Sequence, residues 1–305
     1  MATILITGGT GLVGKQLTKK LISDGNTVRI FSRSKKQKKQ DIEFYQWNVK
    51  EQIIDENAVK GIDCIIHLAG AGVADKPWTP LYKKEIVRSR VDSIQLIYKK
   101  CKELNSFPKS VISASGTAFY GFDNSSKVFS EEESAGEGFL TEVSKKWEEA
   151  SAVFENENVR RVIYRIGVVL SKEGGALPQL QLPFKFGVGS PMGSGKQPLP
   201  WIHIEDLTNA ILKAVKNEAY HGTFNAVAPE PLTNAQFSKI LAKKMKSPYW
   251  APNVPAFVLH LILGKEKANE MLLNGAHVSS EKLKKSGFEF KYPSLGLALE
   301  GLLGA

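Results

Sequence analysis

Gly8, Gly11 and Gly14 stand three residues apart within the stretch TILITGGTGLVG, Thr3 to Gly14. That spacing suits a backbone wrapped around a pyrophosphate: one glycine permits a tight turn, the next lets main chain approach the phosphates, and the last lets a helix pack on its strand. The phosphates would sit at the helix N-terminus, where unpaired N–H groups and the dipole favour negative charge. Thr10, Leu12 and Val13 fall in the same expected cofactor contact. An ordinary strand-to-helix connection is the competing reading.

A second chemical feature is Ser32-Arg33-Ser34-Lys35-Lys36, after an expected strand Asn26 to Phe31. This strand end would face the adenosine ribose, where a carboxylate holds the 2′-hydroxyl of NAD and a cation takes the 2′-phosphate of NADP. No carboxylate occupies it. Arg33 offers a planar fork and Ser32 a hydroxyl, so the expected cofactor is NADP. An exposed basic loop would also account for Arg33 to Lys39.

The elements that must position these groups alternate. Ile4 to Ile6 is an apolar strand, and Leu12, Val13, Leu17 and Leu21 give the next helix an apolar stripe. Glu43 to Trp47 reads as a third strand, with Asn48 at its end either meeting adenine or capping the next segment. Ile62 to Leu68 is a fourth, running into Ala69-Gly70-Ala71-Gly72, where small residues let backbone lie against a cofactor. His67 inside it is expected to be packed rather than catalytic. Strands at Ser110 to Ala114, Val159 to Arg165 and Gly222 to Val227 follow. Gly174 to Gly195 is expected to be a substrate-side loop with a short helix, in which Leu180, Leu182 and Phe184 pack. The fold class is therefore α/β, a Rossmann-type doubly wound parallel sheet over 1–230 with a substrate-side loop at 171–200. A smaller, mainly helical C-terminal region over 250–305 completes it.

Bulk composition fits an enzyme: 305 residues, 42% hydrophobic and 24% charged. No apolar run approaches the roughly 18 residues of a membrane helix, and the chain opens directly on a core strand. A cytoplasmic protein with a small-molecule substrate, and no membrane partner, is expected. The net charge of +10 is spread as lysine pairs, without a nucleic-acid motif. Cys64 and Cys101 have no metal spacing and read as reduced core thiols.

Longer motifs carry a resemblance. HLAGAGVADKPWT with KKEIVRSRVDS, SASGTAFYG from Ser113, the segment from Gly174 to Leu207, FNAVAPEPLTNAQFS from Phe224 and the tail from Asn253 are similar to the extended short-chain dehydrogenase/reductases. The nearest likeness is the atypical branch called the epimerase family, with its small C-terminal domain of unknown function. The resemblance implies cofactor contacts at Ser32, Arg33, Leu68, Ala69 and Gly70, at Glu85 and Arg90 on the following helix, and at Val169. Structural ion pairing would explain Glu85 and Arg90 equally.

The catalytic pattern departs from that superfamily. Its acid–base tyrosine, made acidic by a lysine four residues later, should lie on the helix FLTEVSKKWEEA. With Lys145 as the lysine, the tyrosine position is Thr141; a register set by Glu148 puts Leu140 and Ser144 at the two positions. Tyr98 with Lys102 has the spacing but precedes the fifth strand. Counting back from Tyr120, which matches a structural tyrosine, Gly116 takes the usual serine position beside Ser115. Ser115 can serve a substrate oxygen or a turn, and Ser115 and Lys145 are the residues to test first. Two functions follow as expectations: an NADP-dependent oxidoreductase or epimerase with an atypical proton donor, or an NADP-binding sensor or scaffold without turnover.

Overall fold

The computed structural model describes residues 1–32 and 42–304; Arg33 lies outside the described residues. The strands are β1 (Thr3–Thr7), β2 (Thr27–Ser32), β3 (Ile42–Asn48), β4 (Ile53–Ile54), β5 (Cys64–His67), β6 (Ser110–Gly116), β7 (Val128–Phe129), β8 (Arg160–Ile166), β9 (Val168–Leu170), β10 (Trp201–His203), β11 (Gly222–Ala226) and β12 (His277–Val278). The α-helices are α1 (Leu12–Ser23), α2 (Pro80–Glu103), α3 (Phe139–Ala152), α4 (Ala176–Lys185), α5 (Ile204–Lys216), α6 (Asn234–Lys244), α7 (Ala256–Leu263), α8 (Lys265–Ala268), α9 (Glu281–Lys285) and α10 (Leu295–Leu303).

The main sheet has the order β11-β8-β6-β5-β1-β2-β3-β4. β1 pairs in parallel with β2 on one side, Ile4 opposite Val28, and with β5 on the other, Ile4 opposite Cys64. The chain therefore winds outward from β1 in one direction and returns to wind in the other, which opens a crevice at the strand C-termini where the direction reverses. Ile4, Leu5 and Ile6 are wholly buried. A continuous apolar run is what a parallel strand covered on both faces requires.

Two compact units divide the chain without following its order. The first comprises Met1–Ser115, Lys145–Tyr164 and Thr208–Thr223. Its core joins Leu5, Phe31, Trp47, Ile65, Val111 and Phe154, and Phe31 stacks on Trp47 with centroids 4.6 Å apart. Both cysteines are buried and free, and burial pushes the Cys64 thiol up to about 11 and the Cys101 thiol to about 12. Asn48 settles as a turn residue, its Oδ1 accepting from the N–H groups of Lys50 and Glu51.

The second unit comprises Gly116–Ser144, Arg165–Leu207 and Phe224–Ala305. Leu170, Leu177, Trp201, Phe237, Leu295 and Leu299 form its core. α6 opens with a reciprocal cap between Thr233 and Gln236. His203 is a helix-entry residue, Nδ1 accepting from Glu205 N at 3.0 Å and the ring stacked on Tyr292. Asp206 stands in the first turn of α5, and its buried carboxylate accepts from Lys291 N and Tyr292 N and so fastens the tail. Within the mainly helical tail, α8 ends at Ala268 and a wider π turn covers Asn269–Leu273. Phe184 is buried as expected, whereas Leu182 is half exposed because it lies on the outer face of α4.

Candidate functional site

The glycine turn has the shape its spacing predicts. Gly8 adopts φ 73°, and a Cβ there would lie 2.9 Å from the carbonyl of Leu68. At Gly14 a Cβ would come within 2.3 Å of Gly8 O and 2.6 Å of Gly9 Cα, so only glycine lets α1 close on the turn. Gly11 N donates to Gly8 O at 2.9 Å. Gly11 caps α1 without a side-chain partner, and the first turn carries no acidic residue. Thr10 and Gly11 are exposed, and Leu12 and Val13 are half-buried. The first-turn N–H groups have no side-chain cap, the anion cradle that a dinucleotide pyrophosphate fits.

Below this turn runs a hydrogen-bonded chain that the sequence did not disclose. Thr7 Oγ1 accepts from Leu68 N and Ala69 N at 3.2 and 3.1 Å, which directs its own proton to His67 Nδ1 at 2.8 Å. His67 Nε2 then carries the hydrogen and donates to Arg90 O at 3.0 Å. The imidazole is neutral, and burial pushes its pKa down to about 4. Arg90 itself is buried beneath the loop: its guanidinium donates to Ala71 O and Ile86 O at 3.0 and 2.8 Å and lies 4.7 Å over the Trp147 ring. A Cβ on Gly70 would meet Arg90 Cζ at 2.7 Å. Desolvation lowers the Arg90 pKa to about 10. Glu85 is exposed on the same helix, so the two residues occupy different environments. Ser32, at the end of β2, is buried; Leu68, Ala69 and Val169 are half-buried, and Val169 lies opposite Ile202. A threonine just before a glycine turn and a histidine at a neighbouring strand end are the only signals that could have found the Thr7–His67 link.

At the end of β6, Ser115 Oγ donates to Glu148 Oε1 at 2.7 Å, and both residues are buried. Ser144, not Lys145, faces Gly116, whose Cβ would sit 3.5 Å from Ser144 Oγ. Ser144 Oγ donates to Leu140 O, and Thr141 Oγ1 to Ala118 O and Glu137 O. Lys145 is half-buried on α3. The N-terminus of that helix is held by Glu270, whose carboxylate accepts from Phe139 N and Leu140 N, both at 2.8 Å. Tyr120 is structural, donating to Asn225 Oδ1 and accepting from Arg165, with burial pushing it up to about 12. Tyr98 donates to Glu157 at 2.8 Å, which raises its pKa, and Lys102 lies 3.9 Å from the same carboxylate, so this Tyr-x-x-x-Lys is a surface packing motif.

Comparisons with known proteins agree with this geometry. The profile of the NAD dependent epimerase/dehydratase family matches residues 4–145, and a domain of unknown function (DUF1731) matches 254–302. An epimerase family protein of Staphylococcus aureus (strain NCTC 8325 / PS 47) is 36% identical over 99% of both chains. The chloroplastic homolog of epimerase family protein SDR39U1 from Arabidopsis thaliana is 34% identical over 99% of this chain and 86% of its own. Among solved structures, human SDR39U1 (isoform 2) with NADPH superposes with a TM-score of 0.88 at 30% identity, covering 98% of each chain. A nucleoside-diphosphate sugar epimerase from Corynebacterium glutamicum gives 0.79 at 31% identity, covering 99% of this chain and 58% of that one. With a Rossmann-like sheet, an intact glycine cradle and full-length relatives of this identity, the chain belongs to the epimerase family of extended short-chain dehydrogenase/reductases, with a C-terminal DUF1731 domain.

Proposed function

We propose that the chain is an NADP-dependent oxidoreductase or epimerase acting on a small carbonyl- or hydroxyl-bearing molecule without the usual tyrosine. The observation that carries the cofactor is the cradle at Gly8, Gly11 and Gly14, where a Cβ at Gly8 or Gly14 would run into backbone and one at Gly11 would crowd Gly8 O at 3.2 Å. The NADPH-bound human relative supports the choice of NADP, as does Arg33, the cation placed by sequence at the 2′-phosphate position. Gly8, Thr10, Gly11, Leu12, Val13 and Gly14 would hold the pyrophosphate, Ser32 and Arg33 the adenosine end, and Leu68, Ala69 and Gly70 the backbone walls. Arg90 would support the loop from beneath, and Glu85 would meet the cofactor from the exposed side of α2.

When bound, the dinucleotide supplies a carbon that takes or gives hydride. The chain has to manage the accompanying proton. Because Ser115 gives its hydrogen to Glu148, its oxygen is oriented as an acceptor. A substrate hydroxyl bonded there passes its proton to Ser115 as the serine's own passes to the Glu148 carboxylate, and the reverse route serves a carbonyl. Lys145 is the neighbouring cation on α3 proposed to assist.

A second reading, an NADP-binding sensor without turnover, draws on the hydroxyls of Thr141 and Ser144, which are both engaged with backbone carbonyls. Titration with NADPH and NADH, followed by a hydride-transfer screen across aldehydes, ketones and nucleotide sugars, separates the two. Tight NADPH binding with turnover supports the enzyme, and tight binding with silence across the panel supports the sensor. No affinity for either nucleotide overturns both.

A further inference from the structure

Two long segments of the second unit lack any acidic residue. Residues 174–204 and 231–265 contain no Asp or Glu, yet carry Lys185, Lys196, Lys239, Lys243, Lys244, Lys246 and Lys265. The fold lays the two side by side: Ser247 Oγ donates to Phe184 O at 2.7 Å, Val254 N to Pro191 O at 2.8 Å, and Gly193 N to Val254 O at 2.9 Å. Gly187 abuts the Pro248 ring.

Most of the exposed large hydrophobic side chains among the described residues lie on these same segments. Phe186 is 74% exposed, Trp250 72%, Phe257 70%, Leu261 86% and Ile262 70%. Phe257 and Leu261 are four apart on α7 and share a face, while Leu259 is buried. Lys185, Lys243, Lys246 and Lys265 are exposed on the same two segments, and Lys244 is paired with Glu300. Protruding aromatic and aliphatic groups on segments whose own charges are all cationic are costly to leave in water and match one surface closely, an apolar layer beneath anionic head groups. A second copy would bring like charges together across the contact, and a nucleic acid offers Leu261 and Ile262 no apolar layer.

We infer that this face of the second unit, centred on α7 and on the Phe186 and Trp250 loops, docks reversibly on an anionic lipid surface. At 8 residues α7 lies on a bilayer rather than crossing it, since crossing needs roughly 20 residues. The inference is independent of the proposed cofactor chemistry.

The test is co-sedimentation of the full chain with vesicles of phosphatidylcholine alone and of phosphatidylcholine with phosphatidylglycerol. Binding to the anionic vesicles only, weakened by salt, is expected. The double variant Phe257→Ser/Leu261→Ser and the double variant Lys185→Glu/Lys246→Glu should each lower it about tenfold or more, with an unchanged circular dichroism spectrum confirming the fold. Absence of vesicle binding, or equal binding to neutral vesicles, overturns it. So does a dimer in solution that Phe257→Ser/Leu261→Ser dissociates while vesicle binding stays unchanged.

Discussion

The Thr7 hydroxyl and the His67 imidazole are joined by a 2.8 Å hydrogen bond that fixes the tautomer of the ring and ties the end of β1 to the end of β5. Those two strand ends carry the glycine turn and the loop Leu68-Ala69-Gly70, so one buried contact sets the spacing of both backbone walls. Thr7→Val leaves the N–H of Ala69 without its partner and should cost about 1–3 kcal/mol in urea unfolding, with Thr7→Ser restoring most of it.

His67 also gives stability a pH signature. Its folded pKa, about 4, lies below the ordinary 6.5. Between those values the unfolded chain binds a proton that the folded chain refuses, so this contribution is complete above pH 6.5 and declines as pH falls toward 4. The decline amounts to about 3 kcal/mol. Subtracting the stability profile of His67→Gln from that of the wild type should isolate a slope confined to this window. Superimposable profiles would show that the ring takes up its proton in the fold at the same pH as in the unfolded chain.

Gly14→Ala should abolish dinucleotide binding, because the added carbon meets backbone at Gly8 O and Gly9 Cα. Gly11→Ala, whose Cβ would lie 3.2 Å from Gly8 O, should keep the fold and weaken binding alone. Thermal unfolding and NADPH titration of the pair distinguish a closed turn from a crowded phosphate site.

Arg33→Asp should weaken NADPH by about tenfold or more, as expected for loss of a charge-assisted phosphate contact, and leave NADH nearly unaffected. Equal weakening of the two nucleotides in parallel titrations would remove the case for NADP.

Ser115→Ala should lower both stability, by about 1–3 kcal/mol for the lost buried hydrogen bond to Glu148, and turnover. Glu148→Gln keeps a hydrogen-bond acceptor and should retain stability while losing turnover, so the ratio of the two effects separates packing from proton transfer. Lys145→Met should depress turnover more than it lowers the unfolding midpoint, and equal loss in the two would mark a packing role.

Much of the fold was legible because its signals are local. The apolar run at Ile4 to Ile6, the glycine spacing and the stripe of α1 each act within a dozen residues, and parallel strands buried on both faces announce themselves as unbroken apolar runs. Leu182 was misjudged, and the partners of Asp206 were not legible, because exposure and partner depend on which distant segment arrives, here the outer side of α4 and the backbone of Lys291 and Tyr292.

The sequence alone determined that a glycine-rich strand-to-helix turn opens this chain, that an arginine follows the second strand, and that no tyrosine stands on α3. Only the tertiary structure decided that Arg90 is a buried support under Gly70, that Ser115 is coupled to Glu148, and that Glu270 caps α3 from more than a hundred residues away. The division follows from range. Backbone geometry and helix periodicity are written in neighbouring residues, whereas a buried side chain takes its charge state and hydrogen-bond direction from groups that chain folding brings to it.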